Sequence, residues 1–339
     1  MKNETVSRVK TGGEGRAPSS DGVFLGIDTS NYTTSVGILS AEGEVLANIK
    51  RPLPVKAREC GLRQSDAVFA HVKNLPSAME EAESILRARP LLAVGVSTRP
   101  RAREGSYMPC FLVGLASARS ICAATGAPLF SFSHQCGHMM AAIVSADRPD
   151  LLTRPFYAFH ISGGTTDLLS VRMEEDGFSA REIGGTDDLH AGQAIDRIGV
   201  MMGLPFPAGP HLEAVAKENR TPLPKKHPKI KGTYASLSGL ENLSEKLYRE
   251  TADPALTAAF TLAYLGDAIE GVTENALRTS GAAPVLFVGG VMSNSILKER
   301  LAGAFDAAFA HPTLSADNAV GIAALAAYRY GASPFRKES

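Results

Sequence analysis

The sequence predicts an α/β protein assembled from two related halves that flank a cleft. Three observations carry that prediction. The apolar run Val23-Phe24-Leu25-Gly26-Ile27 ends in Asp28-Thr29-Ser30, and Ser35-Val36-Gly37-Ile38-Leu39 follows after a few polar residues, which reads as a β-hairpin with a polar loop. The same order of strand, small polar turn and strand returns at residues 157–169, so the architecture is predicted to be internally duplicated. At 339 residues the chain is also longer than one hydrophobic core usually serves. The expected division is a flexible leader over 1–22, an N-terminal half over 23–150, a C-terminal half over 151–333 and a tail over 334–339.

Composition narrows the class. Hydrophobic residues at 44% and charged residues at 21% describe ordinary globular protein rather than disordered chain. No stretch approaches the roughly 18 apolar residues of a membrane-spanning helix, and residues 1–21 lack the apolar run of a secretory signal, so a cytoplasmic protein without a membrane partner is expected. Cys60, Cys110, Cys122 and Cys136 form no CxxC pair and read as small buried residues, with Cys136 set apart by its place between two histidines. The 35 basic and 35 acidic side chains cancel, so any polyanion must be met by a local patch.

In chain order, the first hairpin places Asp28, Thr29 and Ser30 where a strand turns over, a usual position for phosphate or metal contacts and also a good turn sequence. Residues 64–87 follow as a helix whose apolar positions Val68, Val72, Leu75 and Met79 are predicted to face the core. A short buried strand over 91–96 precedes a small-residue helix over 110–125, which Gly126 and Pro128 stop before the strand Leu129-Phe130-Ser131-Phe132. That strand delivers Ser133-His134-Gln135-Cys136-Gly137-His138. Two imidazoles four residues apart lie on one helical face and can hold one metal ion, although the spacing alone is common. Gln135 cannot accept a proton, so the general base of an HExxH protease is missing.

In the second hairpin, Gly163-Gly164 can turn bare backbone N–H groups toward an anion, while Thr165, Thr166 and Asp167 add hydroxyl and carboxylate groups. A turn requiring positive φ is the plainer account of the glycines. A helix holding Gln193 and Asp196 leads to Gly203-Leu204-Pro205-Phe206-Pro207-Ala208-Gly209-Pro210, too rich in Pro and Gly to stay helical. Residues 220–232 carry Lys225, Lys226, His227, Lys229 and Lys231, an exposed basic loop that is either solvated or meets a polyanion. A long helix over 254–280 runs into the buried strand Val285-Leu286-Phe287-Val288, whose Gly289-Gly290 end lets a flat ring or a phosphate approach the backbone. Ser315 then caps an alanine-rich helix that continues to Ala327.

The order of these elements resembles the TsaD, or glycoprotease, family of tRNA threonylcarbamoyladenosine transferases, within the wider actin, sugar-kinase and Hsp70 superfamily. The motifs that carry the resemblance are LGIDTS at Leu25, SHQCGH at Ser133, ISGGTTD at Ile161, GLPFPAGP at Gly203, SLSGL at Ser236, VGGVMSN at Val288 and ADNA at Ala316. The resemblance implies a duplicated superfamily fold with a nucleotide cleft between its halves. It implies one divalent ion on His134, His138 and Asp317, with zinc or iron favoured over magnesium because imidazole suits borderline metals. It further implies that His160, Ile161, Ser162, Gly163, Gly164, Asp196, Gly209, Glu213 and Asn294 surround ATP, AMP or threonylcarbamoyl-adenylate, with Gly289 and Gly290 against the adenosine. Asp28, Ser162 and Asp167 are the expected catalytic groups. The implied activity is transfer of a threonylcarbamoyl or carbamoyl group from an adenylate to an amine, with tRNA or another anionic acceptor as partner and a related family member as a heterodimer partner; proteolysis is not expected.

This chain departs from the family pattern around the same cleft. Tyr32 and Thr33 replace an acidic pair in the first hairpin, Thr165 stands where a histidine is usual, and the segment over 97–109 brings in Arg99, Arg101 and Arg103, which alternate and could present one anion-binding strip. Two other readings follow. One is a nucleotide-binding paralogue that has lost transfer and serves as a partner subunit. The other is a small-molecule kinase, which gives the two histidines no task.

Overall fold

The computed structural model describes residues 21–30, 32–53, 63–101, 105–175, 177–311, 314 and 319–336. Two β-sheets carry the same plan. In the first, β1 (Val23–Ser30) pairs antiparallel with β2 (Thr33–Ser40), β2 antiparallel with β3 (Val45–Pro52), and β1 parallel with β4 (Leu91–Arg99), which pairs parallel with β5 (Leu129–Ser133). In the second, β6 (Phe156–Ile161), β7 (Thr166–Glu174) and β8 (Gly177–Thr186) repeat the meander, while β11 (Val285–Val288) and β12 (Ala307–Phe309) repeat the parallel pair. The orders β3-β2-β1-β4-β5 and β8-β7-β6-β11-β12 thus match strand for strand, as the duplicated hairpins predict. Two short strands, β9 (Lys229–Lys231) and β10 (Tyr234–Ser236), extend the second sheet beyond the repeat.

Side-chain alternation sorts the second sheet between two helical layers. Tyr157, Phe159 and Ile161 face an outer layer of α4 (Ala191–Met201), α5 (Gly209–Ala216), α6 (Ser238–Thr251), α7 (Pro254–Ser280) and α8 (Ser295–Ala304). Phe156 and Ala158 face inward, toward α3 (His134–Ser145) and α9 (Val320–Tyr330). On the far side of the first sheet lie α1 (Gln64–Ala88) and α2 (Phe111–Thr125).

The middle layer is exchanged between the halves. Although α9 is the last helix, it packs on β1, β2 and β4, and α3 from the N-terminal half packs on β8 and β11 as well as on its own sheet. Glycines make this approach possible. Gly37, Gly26 and Gly95 stand side by side across β2, β1 and β4, and a Cβ at any of them would fall 2.1–2.6 Å from the backbone of residues 319–322. Between the helices, a Cβ on Gly321 would lie 1.9 Å from the carbonyl oxygen of Gly137.

One expected face is corrected. The buried stripe of α1 is Ala67, His71, Leu75, Ala78 and Ala82, whereas Val72 is 54% exposed and Val68 and Met79 are only partly buried. Alanines and one hydrogen-bonded histidine set the face, because small side chains let the helix lie close on β2 and β3.

Candidate active site

The site begins at the carboxyl ends of β1 and β5. Ser133 caps α3 by accepting a hydrogen bond from the Cys136 amide at 3.2 Å, which starts the helix at His134. His134 therefore stands in the first turn with His138 one turn on. Asp28, 1% exposed, accepts a hydrogen bond from Nδ1 of His134 at 2.7 Å and another from the hydroxyl of Ser97 on β4. A proton held on Nδ1 leaves Nε2 of His134 with its lone pair, and that atom lies 2.9 Å from Nε2 of His138.

This donor set fits a divalent ion. Two Nε2 atoms 2.9 Å apart can each lie about 2.0–2.1 Å from one ion, and a carboxylate behind a ligating imidazole is the usual outer partner of such a ligand. Among the described residues no group of three His, Cys, Asp or Glu side chains converges. The expected third ligand, Asp317, lies outside the described residues, as does Arg103 of the arginine strip. Arg99 is half-buried and Arg101 exposed.

Two buried contacts hold the hairpin beneath the site. The Thr29 hydroxyl donates to the Cys110 carbonyl at 3.0 Å and accepts from the Gly114 amide at 3.1 Å, tying β1 to the start of α2. His71 bonds the Ser30 carbonyl through Nε2 and the Thr34 hydroxyl through Nδ1, both at 2.8 Å. A carbonyl can only accept, so Nε2 donates to it, and in the neutral ring Nδ1 accepts from the Thr34 hydroxyl. Burial lowers the His71 pKa, against the opposing pull of the Ser30 carbonyl and the Asp28 charge. Burial also pushes the Cys110 thiol up to about 11.

Opposite α3, His160 is half-buried on β6, with its pKa lowered first by burial and then by nearby His138, while Asp167 pulls the other way. Asp167 faces His160 across the β6–β7 ladder. Beyond them, Ser162 accepts from the Gly164 amide at 3.3 Å, and both Gly163 and Gly164 border open space. Neither glycine has a left-handed φ, so a positive-φ turn does not account for the pair. The end of β11 differs: Gly289 has φ 101°, and a Cβ there would sit 2.3 Å from the Ile161 carbonyl oxygen, whereas Gly290 opens on free space.

The remaining expected residues cluster near these strand ends. Asn294 caps α8 through the Leu297 amide at 3.1 Å. The Glu213 carboxylate accepts from the Ser295 amide at 3.2 Å, the Ser295 hydroxyl at 2.5 Å and Lys217 at 2.6 Å; these bonds hold it below the usual carboxylate range against its burial. Asp196 accepts from the Ala208 amide at 2.8 Å and so fastens the loop before Gly209, the first residue of α5. Sequence reasoning missed Ser97, whose only sign is its place near the end of a buried strand, and the buried His71, hidden inside an amphipathic helix.

The family model for tRNA N6-adenosine threonylcarbamoyltransferase, TsaD, matches residues 44–324. The chain belongs to the TsaD family. A TsaD-family relative from Streptococcus suis (strain 05ZYH33), a tRNA N6-adenosine threonylcarbamoyltransferase, is 32% identical over 333 residues, covering 94% of each chain. One of the same name from Streptococcus gordonii is 31% identical over 294 residues, covering 83% of this chain and 84% of its own. Among solved structures, HypF of T. kodakarensis superposes with a TM-score of 0.54 at 12% identity, covering 92% of this chain and 48% of that one. Full-length HypF in its phosphate- and nucleotide-bound form gives 0.51 at 10% identity, covering 92% and 55%. The two-sheet α/β fold is shared with these structures, and the TsaD relatives are named as transferases. Among the described residues no helix is long and apolar enough to cross a membrane.

Proposed function

We propose that this TsaD-family chain moves a threonylcarbamoyl group from its adenylate to an adenosine amine of tRNA in the cytoplasm, with one divalent ion on His134, His138 and Asp317. The observation that carries the reading is the convergence of the two Nε2 atoms, with Asp28 fixing the tautomer of His134. A bound divalent ion would supply phosphate neutralisation and carbonyl polarisation for the mixed anhydride. Zinc or iron suits the imidazole ligands better than magnesium.

The chain's own groups take the other roles. The Gly163 amide, on an exposed turn that the Gly164–Ser162 hydrogen bond closes, steadies the phosphate, and the exposed backbone at Gly290 receives the adenosine beside Asn294 and Glu213. A thiol with its pKa pushed up to about 11 is a poor nucleophile, so Cys110 does not support a covalent intermediate. In direct transfer the acceptor nitrogen attacks the carbonyl carbon; the carbon–oxygen bond to phosphate breaks, AMP leaves, and Asp167 takes the amine proton. Ser162 donates to the phosphoryl oxygens, and His160 stays neutral beside His138.

The test is mass spectrometry of unmodified tRNA incubated with threonylcarbamoyl-adenylate and either the parent protein or His134→Ala/His138→Ala. The parent should add the threonylcarbamoyl mass to adenosine and the double variant should not. A second reading, a nucleotide-binding partner subunit in a heterodimer with a related protein, is favoured by Tyr32, 47% exposed where the family pattern has an acidic residue. ATP binding without transfer, restored by a co-purifying relative, would establish that reading instead.

A further inference from the structure

A rank of ladder partners runs across the second sheet from the candidate site to its far edge. Val288 faces His160, His160 faces Asp167, Asp167 faces Gly185, Gly185 faces Tyr234, and Tyr234 faces Lys231. Directly opposed residues project from the same side of a sheet, so His160, Asp167, Tyr234 and Lys231 share one face. Four strand spacings of about 4.8 Å put Lys231 about 19 Å from His160.

That edge is basic and held in place. Lys225, Lys226, Lys229 and Lys231 are all exposed, and none is ion-paired among the described residues. The nearby carboxylates are taken: Asp267 bonds His227 and Arg300, each at 2.7 Å, and Glu270 bonds Arg300. Three contacts fix the segment. Ile230 packs against Gly271 of α7, His227 ties to Asp267, and Asn275 donates to the Gly232 carbonyl at 2.6 Å. A lysine or two on an edge strand would suffice to discourage edge-to-edge pairing. Here four unneutralised lysines sit on a strand and loop that lie outside the duplicated five-strand unit, in a chain whose overall charge is zero.

Further in, the charge changes sign. The Tyr234 hydroxyl donates to Glu182 at 3.3 Å, and Asp167 lies two ladder positions away in the same rank, through Gly185. A row of phosphates is attracted at the edge and repelled beyond it. A neutral base with an exocyclic amine suffers no such repulsion, and its N–H groups suit carboxylate acceptors.

We propose that Lys225, Lys226, Lys229 and Lys231 grip the phosphate backbone of the RNA acceptor, laying the target nucleoside along Tyr234 and Asp167 toward His160. The inference rests on the transferase reading above. It is tested by replacing the four lysines with glutamine, and separately with arginine, and following an unmodified tRNA transcript by fluorescence anisotropy across a salt titration, alongside turnover. The glutamine variant should bind at least about tenfold more weakly near physiological salt. Its slope of log affinity against log salt should flatten by about 0.7 for each lost single-strand phosphate contact. ATP binding should persist, and the arginine variant should keep the parent slope. An unchanged affinity and slope would overturn the proposal. If the parent modifies tRNA while the lysines prove silent, only this inference fails. If the lysines set the salt slope yet no product forms, the transferase reading fails instead.

Discussion

The Asp28 carboxylate and the His134 imidazole are joined by a 2.7 Å hydrogen bond that spans 106 residues of sequence and links the first strand to the helix carrying the candidate metal ligands. Removing the charge while keeping the shape isolates what this bond does. Asp28→Asn should retain the fold by circular dichroism but weaken divalent metal binding about 10–100-fold, the usual cost of losing an outer partner of a ligating histidine. Chelator competition measures it, and parental affinity in the variant would show that His134 is oriented by something else.

Adjacent glycines at the end of β11 should behave oppositely. Gly289→Ala meets both a positive φ and the Ile161 carbonyl, so it should lower stability by about 1 kcal/mol or more in urea denaturation. Gly290→Ala should be nearly silent, while Gly290→Arg should abolish ATP binding in calorimetry without changing the unfolding midpoint. Wild-type ATP affinity in Gly290→Arg would place the adenosine elsewhere.

Acid should loosen the first hairpin through His71. Its folded pKa lies below the free value of 6.5, so the unfolded chain binds the extra proton first. The stabilisation is complete above pH 6.5 and declines as pH falls from there toward the folded pKa. His160, lowered in the same direction, adds a slope of the same sign, so the measurement is the difference between parent and variant. His71→Gln should lose less stability than the parent between pH 7.5 and 5; equal losses would remove His71 from the account.

Crowding the glycine rank beneath α9 should cost more than an ordinary surface change. Gly26→Ala places a methyl 2.1 Å from the Ala319 carbonyl oxygen, and overpacking of this kind typically costs about 1–3 kcal/mol. A midpoint within error of the parent would mean that the helix shifts freely on the sheet.

Much of this plan was legible in local sequence. The two hairpins announced the duplicated sheets because strand alternation and turn chemistry act over a few residues, and His134 and His138 announced themselves by helical spacing. What could not be read depends on contacts across long separations. Ser97 meets Asp28 only because β4 lies beside β1, and the buried face of α1 follows Ala67, Ala78 and Ala82 rather than Val72 because closeness to β2 and β3 outweighs side-chain hydrophobicity. The basic segment around Lys229 read as a loop because three residues are too few to show a strand period, and only its pairing with Tyr234 to Ser236 makes it an edge.

The exchanged middle layer bears on how the molecule comes apart. Cutting the backbone after Leu152 would leave the first sheet without the helix that begins at Val320, and the second without the one that begins at His134. Neither fragment would keep its cover, so two look-alike lobes should melt together in a single calorimetric transition, and neither should be recoverable alone.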